Sequence, residues 1–222
     1  EEELMEDAIN RVIQELDPHS NYIPAKQLQA INEQLEGNFD GIGVEFMTLD
    51  DTIVIVTPLA GGPSESVGIM AGDKIIAAED SIVAGVGKDT EDVISQLRGE
   101  KGSEVEVSIL RGNEEKLRDF TIVRDEIPIN SVDVAYMLDE NTGYIKINRF
   151  SAKTYEEFML GLERLVEKEG MENLVIDVRH NPGGYLQQAT NILSQLFDDR
   201  GKLLVYTEGR TVKRTDYKTT GR

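Results

Sequence analysis

Two glycine-bearing stretches of this chain have the residue types and spacing to do chemistry. In Asp177-Val178-Arg179-His180-Asn181-Pro182-Gly183-Gly184 a short apolar run ends in a glycine loop, and a helical pattern starts at Tyr185. A strand, a loop and a helix N-terminus leave backbone N–H groups free to hold negative charge. Gly183 and Gly184 could therefore serve an oxyanion hole. On the residues alone the stretch is equally a strand-to-helix turn that needs small residues, with Pro182 fixing the entry. In Gly41-Ile42-Gly43-Val44 two glycines let successive N–H groups converge without Cβ interference, which suits a peptide's C-terminal carboxylate. A plain glycine-rich turn into a strand is the competing reading. A dinucleotide fingerprint is excluded, because Phe46 stands where glycine is required.

Other candidate groups read as structural. Asp177 and Arg179 alternate at a strand end, as an ion pair or loop-orienting pair would. His19 and His180 are far apart and the chain has no cysteine, which argues against zinc; His19 reads as a helix-end hydrogen-bonding residue. The clusters Glu1-Glu2-Glu3, Asp50-Asp51 and Asp198-Asp199 lack the alternating carboxylates and central glycine of a calcium loop. No metal or cofactor is implied.

The positioning elements follow from periodicity. Leu4, Ala8, Ile9, Val12 and Leu16 repeat at helical spacing, Asp17-Pro18-His19-Ser20 breaks that helix, and a second runs from about Pro24 to Leu35. From Phe39 short strands take over: Val44–Phe46, Ile53–Val56, Lys74–Ala78, and a hairpin in which Val105, Val107 and Ile109 alternate with polar residues. Thr90–Leu97 is one short helix, with Val93, Ile94 and Leu97 turned inward. The strand that follows Gly41-Ile42-Gly43-Val44 could accept a peptide by β-augmentation, the peptide's side chains entering a groove beside the Thr90–Leu97 helix, lined by Gly41, Ile42, Gly43, Val44, Val93 and Leu97. From Ile127 strands and helices alternate: Tyr144–Ile147, Thr154–Lys168, Leu174–Val178, Tyr185–Phe197 and Leu203–Tyr206. That β-α-β-α-β order predicts a layered α/β sheet with right-handed crossovers. The fold class is α+β and multidomain: an N-terminal helical segment at 1–37, a β module at 38–126, and a partial α/β core at 127–222.

Composition narrows the partners. Twenty-three Lys plus Arg stand against 42 Asp plus Glu, a formal net charge of −19, and that field repels phosphate backbones and anionic lipid. No nucleic-acid partner is expected, and no apolar run is long enough to span a bilayer. The chain opens on Glu1 without a signal peptide, so a processed or trimmed piece is expected.

Pro63-Ser64, Val67-Gly68-Ile69, Ala71-Gly72-Asp73-Lys74-Ile75, Leu97-Arg98-Gly99 and Gly102-Ser103-Glu104-Val105 resemble a PDZ domain, with Val67 where alanine is usual and Ala78-Glu79-Asp80 in place of the common turn. Leu16–Ser20, Gly37–Val44, Arg124-Asp125-Glu126-Ile127-Pro128, Gly143-Tyr144-Ile145 and Asp177–Gly184 extend the series in order. Together they resemble the carboxy-terminal processing (tail-specific) serine peptidases along nearly the whole chain.

The resemblance implies an endopeptidase of the bacterial periplasm or cell envelope whose PDZ domain presents protein C-terminal tails to a serine/lysine site. It favours the oxyanion role for Gly183 and Gly184 and disfavours His180 as a base. It also implies that the nucleophilic serine comes later, in a serine-rich segment entering a helix, and the base lysine later still. Thr207–Arg214 contain nothing of that kind, and Ser194 lies inside a helical pattern. The dyad is therefore expected to be missing and the chain inactive alone. A PDZ adaptor with a degenerate, non-catalytic peptidase-like domain is the alternative. Protein or peptide substrates with free C-termini are the expected partners. A sheet ending at Leu203–Tyr206 is expected to expose an edge, with homo-oligomerisation, domain swapping or disorder near Tyr217–Arg222.

Overall fold

The computed structural model describes residues 2–16 and 20–221, so the readings for Asp17, Pro18 and His19 lie outside the described residues. Helix α1 spans Glu2–Leu16 and α2 spans Ala25–Glu36. Gly37 ends α2 in the left-handed region at φ +81°, its N–H donating to the Glu33 carbonyl, as a glycine C-terminal stop does. The chain divides into two units, residues 38–128 forming one and the flanking segments the other.

In the β-rich unit, strands β1 (Asn38–Gly41), β2 (Val44–Leu49), β3 (Thr52–Pro58), β4 (Lys74–Ala78), β5 (Ser81–Ile82), β6 (Glu104–Leu110), β7 (Arg118–Val123) and β8 (Asp125–Pro128) are joined by α3 (Pro63–Ser66) and α4 (Thr90–Leu97). The main sheet runs β2-β3-β4-β6-β7, with β5 on β4, and β1 pairs antiparallel with β8. The period-two pattern of β6 puts Val105, Val107 and Ile109 into the core, where they meet Ile53, Ile55, Ile75 and Ile122. Asp73 is also buried there, taking a hydrogen bond from the Met70 N–H and an ion pair from Arg111 at 2.8 Å, which supplies the partners a buried carboxylate needs.

The second unit contains β9 (Val132–Met137), β10 (Thr142–Ile147), α5 (Thr154–Glu163) continuing as a π turn over Arg164–Lys168, β11 (Asn173–Asp177), α6 (Leu186–Gln195), β12 (Leu203–Thr207) and β13 (Thr215–Lys218). Its sheet has the order β11-β10-β9, with β10 and β11 parallel. Ile145, Ile147, Phe158, Leu165 and Ile192 form its core. The order along the chain is as expected, but the second crossover does not extend the sheet. β12 pairs antiparallel with β13 instead, because a short hairpin satisfies its backbone at low loop-closure cost. Arg214 over the Tyr206 ring at 4.0 Å braces that hairpin. Of the outcomes expected for Tyr217–Arg222, disorder does not describe Tyr217 and Lys218, which belong to β13.

Candidate peptide groove and glycine loop

The Gly41–Val44 segment joins β1 to β2, the strand at one end of the main sheet's order. Its carbonyls face inward. Ile42 O accepts from the Ser64 N–H at 3.1 Å and the Ser64 hydroxyl at 2.6 Å, and Gly43 O accepts from the Leu59 N–H at 3.0 Å. The amides of Ile42 and Gly43 donate to no partner among the described residues. Ile42 is buried in the core and Gly43 takes φ +68°, so one side chain anchors the loop and one glycine reverses it. Carbonyls tied in and amides left out make a small anion-binding concavity.

Beside the loop is a groove of about 110 Å³ lined by Phe39, Gly41, Ile42, Gly43, Val44, Phe46, Ile94, Leu97 and Arg98. The guanidinium of Arg98 stacks 4.7 Å from the Phe39 ring centroid, placing a cation at the wall. At the other end of α4 the hydroxyls of Thr48 and Thr90 meet at 3.3 Å. Asp89 caps α4 by accepting the Glu91 N–H. Of the residues named from the sequence, Gly41, Ile42, Gly43, Val44 and Leu97 come together here. Val93 does not reach the groove: it is buried in the core cluster, and the adjacent Ile94 takes its place. Phe46 is legible as the next same-face residue after Val44 on a strand, and Ile94 as an inward residue of the short helix, though not as the one that faces the groove; Phe39 and Arg98 carry no local signal for it.

The Asp177–Gly184 loop leaves the end of β11. Asp177 is nearly buried and accepts from the Tyr144 hydroxyl at 2.5 Å, the Arg179 N–H at 2.8 Å, and the Arg179 guanidinium at 2.6 Å. Hydrogen bonds from Arg179 and then Tyr144 hold its carboxyl well below the ordinary aspartate range, while Asp177 pushes the Tyr144 hydroxyl up. Neither group changes protonation near neutrality, so this trio braces the loop and is unsuited to proton transfer.

Beyond it, His180 takes φ +65°. Asn181 donates through Nδ2 to the Ile147 carbonyl at 3.0 Å and accepts the Gly183 N–H on Oδ1 at 2.7 Å. The Phe150 N–H donates to Gly183 O and the Tyr185 N–H to Phe150 O, at 2.9 and 2.8 Å. Gly184 is the bridged residue of this parallel strap, so its own N–H points away from Phe150, and it meets no partner among the described residues. The two glycines thus differ: the Gly183 amide is occupied and the Gly184 amide is available. Ser194 is buried, its hydroxyl accepting the Thr220 N–H at 3.3 Å. No group of three or more His, Asp or Glu among the described residues is placed to hold a metal ion. No helix there is long and apolar enough to cross a membrane.

Residues 41–122 match the PDZ domain family model, and residues 141–222 match peptidase family S41. Against carboxy-terminal processing protease CtpA of Bacillus subtilis the chain is 35% identical over 209 residues, which is 94% of this chain and 44% of the relative. Against CtpB of the same organism it is 39% identical over 195 residues, covering 86% and 40%. The chain therefore spans less than half the length of these relatives. Among solved structures, the photosystem II D1 C-terminal processing protease matches 100% of this chain and 60% of its own, at 26% identity and TM-score 0.44. The PDZ domain of a carboxy-terminal protease from Vibrio cholerae, solved with a peptide, matches 40% of this chain and 97% of its own, at 36% identity and TM-score 0.37.

Proposed function

The chain belongs to the carboxy-terminal processing, PDZ-containing serine peptidases of family S41, and from that premise we propose that it carries the tail-recognition half of such an enzyme together with its oxyanion loop. In this reading a substrate's free C-terminus enters the β-rich unit. Its carboxylate meets the Ile42 and Gly43 amides, its last apolar side chain fills the groove against Phe46, Ile94 and Leu97, and its backbone adds along β2. The carrying observation is the loop's arrangement, carbonyls bonded inward and amides left unbonded.

The Gly184 N–H is the oxyanion donor in the same proposal, held ready by the Phe150 strap so that no reorganisation is needed as charge develops. The nucleophilic serine and base lysine belong to no part of this sequence in our reading. What supports this is that no serine follows Ser194, whose hydroxyl is buried. The chain then binds tails and does not cleave them alone.

Titration calorimetry with a peptide ending in a free apolar residue, against its C-terminal amide, tests the groove. Losing charge-assisted hydrogen bonds worth about 1.5–3 kcal/mol weakens the amide by roughly tenfold to a hundredfold. Equal affinity for the two forms removes the groove assignment.

A further inference from the structure

Arg124 follows β7 directly, is 8% exposed, and does not line the groove. Its guanidinium nevertheless grips the helix that does. Nε donates to the Leu97 carbonyl at 3.1 Å and Nη2 to the Gln96 carbonyl at 2.9 Å. Nη1 donates to the Ser103 hydroxyl at 2.9 Å and the Glu104 carbonyl at 2.8 Å. One planar cation thus ties the last carbonyls of α4 to the start of β6. Those carbonyls have no partner within the helix, and a cation there also suits the helix dipole.

α4 has only eight residues, too few to be stable without tertiary support. Its other supports are the side chains of Val93 and Leu97 in the core, the Asp89 cap, and the Thr48–Thr90 contact. Gly99 packs against the clamp from outside: a Cβ there would lie 3.0 Å from Arg124 Cζ and Nε.

We infer that Arg124 is a positioning residue for tail recognition: by clamping the C-terminal turn of α4 it sets the gap between α4 and β2 into which the peptide must fit. This rests on the groove being the tail site. Lysine cannot substitute, since a single ammonium lacks the planar fork that reaches acceptors on two elements. Without the clamp α4 samples undocked positions, and the apparent affinity falls with the binding-competent fraction. The Gly41–Val44 amides are untouched, so the preference for acid over amide persists.

The test compares the whole chain with Arg124→Lys, Gly99→Ala and the core control Ile109→Val, using acid and amide peptides in calorimetry and stopped-flow, with amide hydrogen exchange. If α4 stays docked about a tenth of the time, Kd rises about tenfold for Arg124→Lys and Gly99→Ala, through slower association. The acid/amide ratio stays constant, amides at Ile94–Arg98 lose protection, and those at Ile75 and Ile109 keep theirs. Ile109→Val leaves Kd near the wild-type value. Should Arg124→Lys fail to fold, Gly99→Ala carries the test. The inference is overturned if both variants bind as wild type does, if α4 keeps its protection, or if Ile109→Val weakens binding equally. A wild-type chain that ignores the free carboxylate removes the groove reading instead, and exchange at α4 alone then decides whether Arg124 clamps that helix.

Discussion

Replacing Gly43 by alanine strikes the Gly41–Val44 loop at its tightest point. Gly43 holds φ +68° and a new Cβ would stand 2.9 Å from Ile127 Cδ1 and 3.2 Å from Pro63 Cδ. The left-handed conformation costs an L-residue about 1–2 kcal/mol. Ile127 is buried, and turning its tip off a rotamer costs roughly 0.5–1.5 kcal/mol more. Urea titration should therefore show a stability loss of about 2 kcal/mol, unless the loop shifts to escape. A shift misaligns the Ile42 and Gly43 amides, and losing one charge-assisted bond of about 1.5–3 kcal/mol weakens an acid-terminated peptide by roughly tenfold to a hundredfold. Either stability or affinity must fall. Gly43→Asn separates the causes, since asparagine tolerates φ > 0 better but still adds a Cβ. If Gly43→Ala alters stability by less than about 0.5 kcal/mol, as an ordinary surface change does, and also leaves peptide affinity unchanged, the loop geometry argued above is wrong.

Two further outcomes concern the buried carboxylate and the second glycine loop. Burial alone would raise the Asp73 carboxyl, but the Arg111 side chain and the Met70 N–H outweigh it and hold it below the ordinary aspartate range; a depressed carboxyl adds stability that is present above its unfolded value and lost as pH falls through the folded one. Asp73→Asn should lower the urea midpoint at neutral pH and lessen its decline below about pH 4, and an unchanged acid slope would contradict this. In Gly184→Ala a Cβ would be driven into the Phe150 carbonyl, at a φ of +136°, a region populated almost only by glycine. Exchange protection should then vanish at the Phe150 and Tyr185 amides, whereas retained protection would show that the strap is not what holds the loop.

What the sequence determined by itself were features with local causes. Gly41 and Gly43 mark a loop because backbone convergence, and at Gly43 a φ of +68°, favour glycine, and the alternation of Val105, Val107 and Ile109 marks a strand because side chains alternate across a sheet. The same holds for the glycine loop after Asp177, and the ordered series of motifs was enough to place the family. Tertiary structure decided whatever depended on distant partners. The rotation of α4 sends Val93 into the core and Ile94 to the groove, although both are apolar neighbours on an eight-residue helix. Phe150, far from Gly184 in sequence, binds the Gly183 carbonyl and the Tyr185 N–H while Asn181 takes the Gly183 amide, so that of the two glycine amides the Gly184 one is open. β12 finds its partner in β13 because hydrogen bonding is satisfied by the nearer strand. Arg124, one residue in a charged stretch of sequence, becomes the clamp on α4 only because folding brings Gln96, Leu97, Ser103 and Glu104 around it. Periodicity and backbone freedom can be read along a chain, whereas the choice among equally apolar or equally polar residues is made by what each one meets.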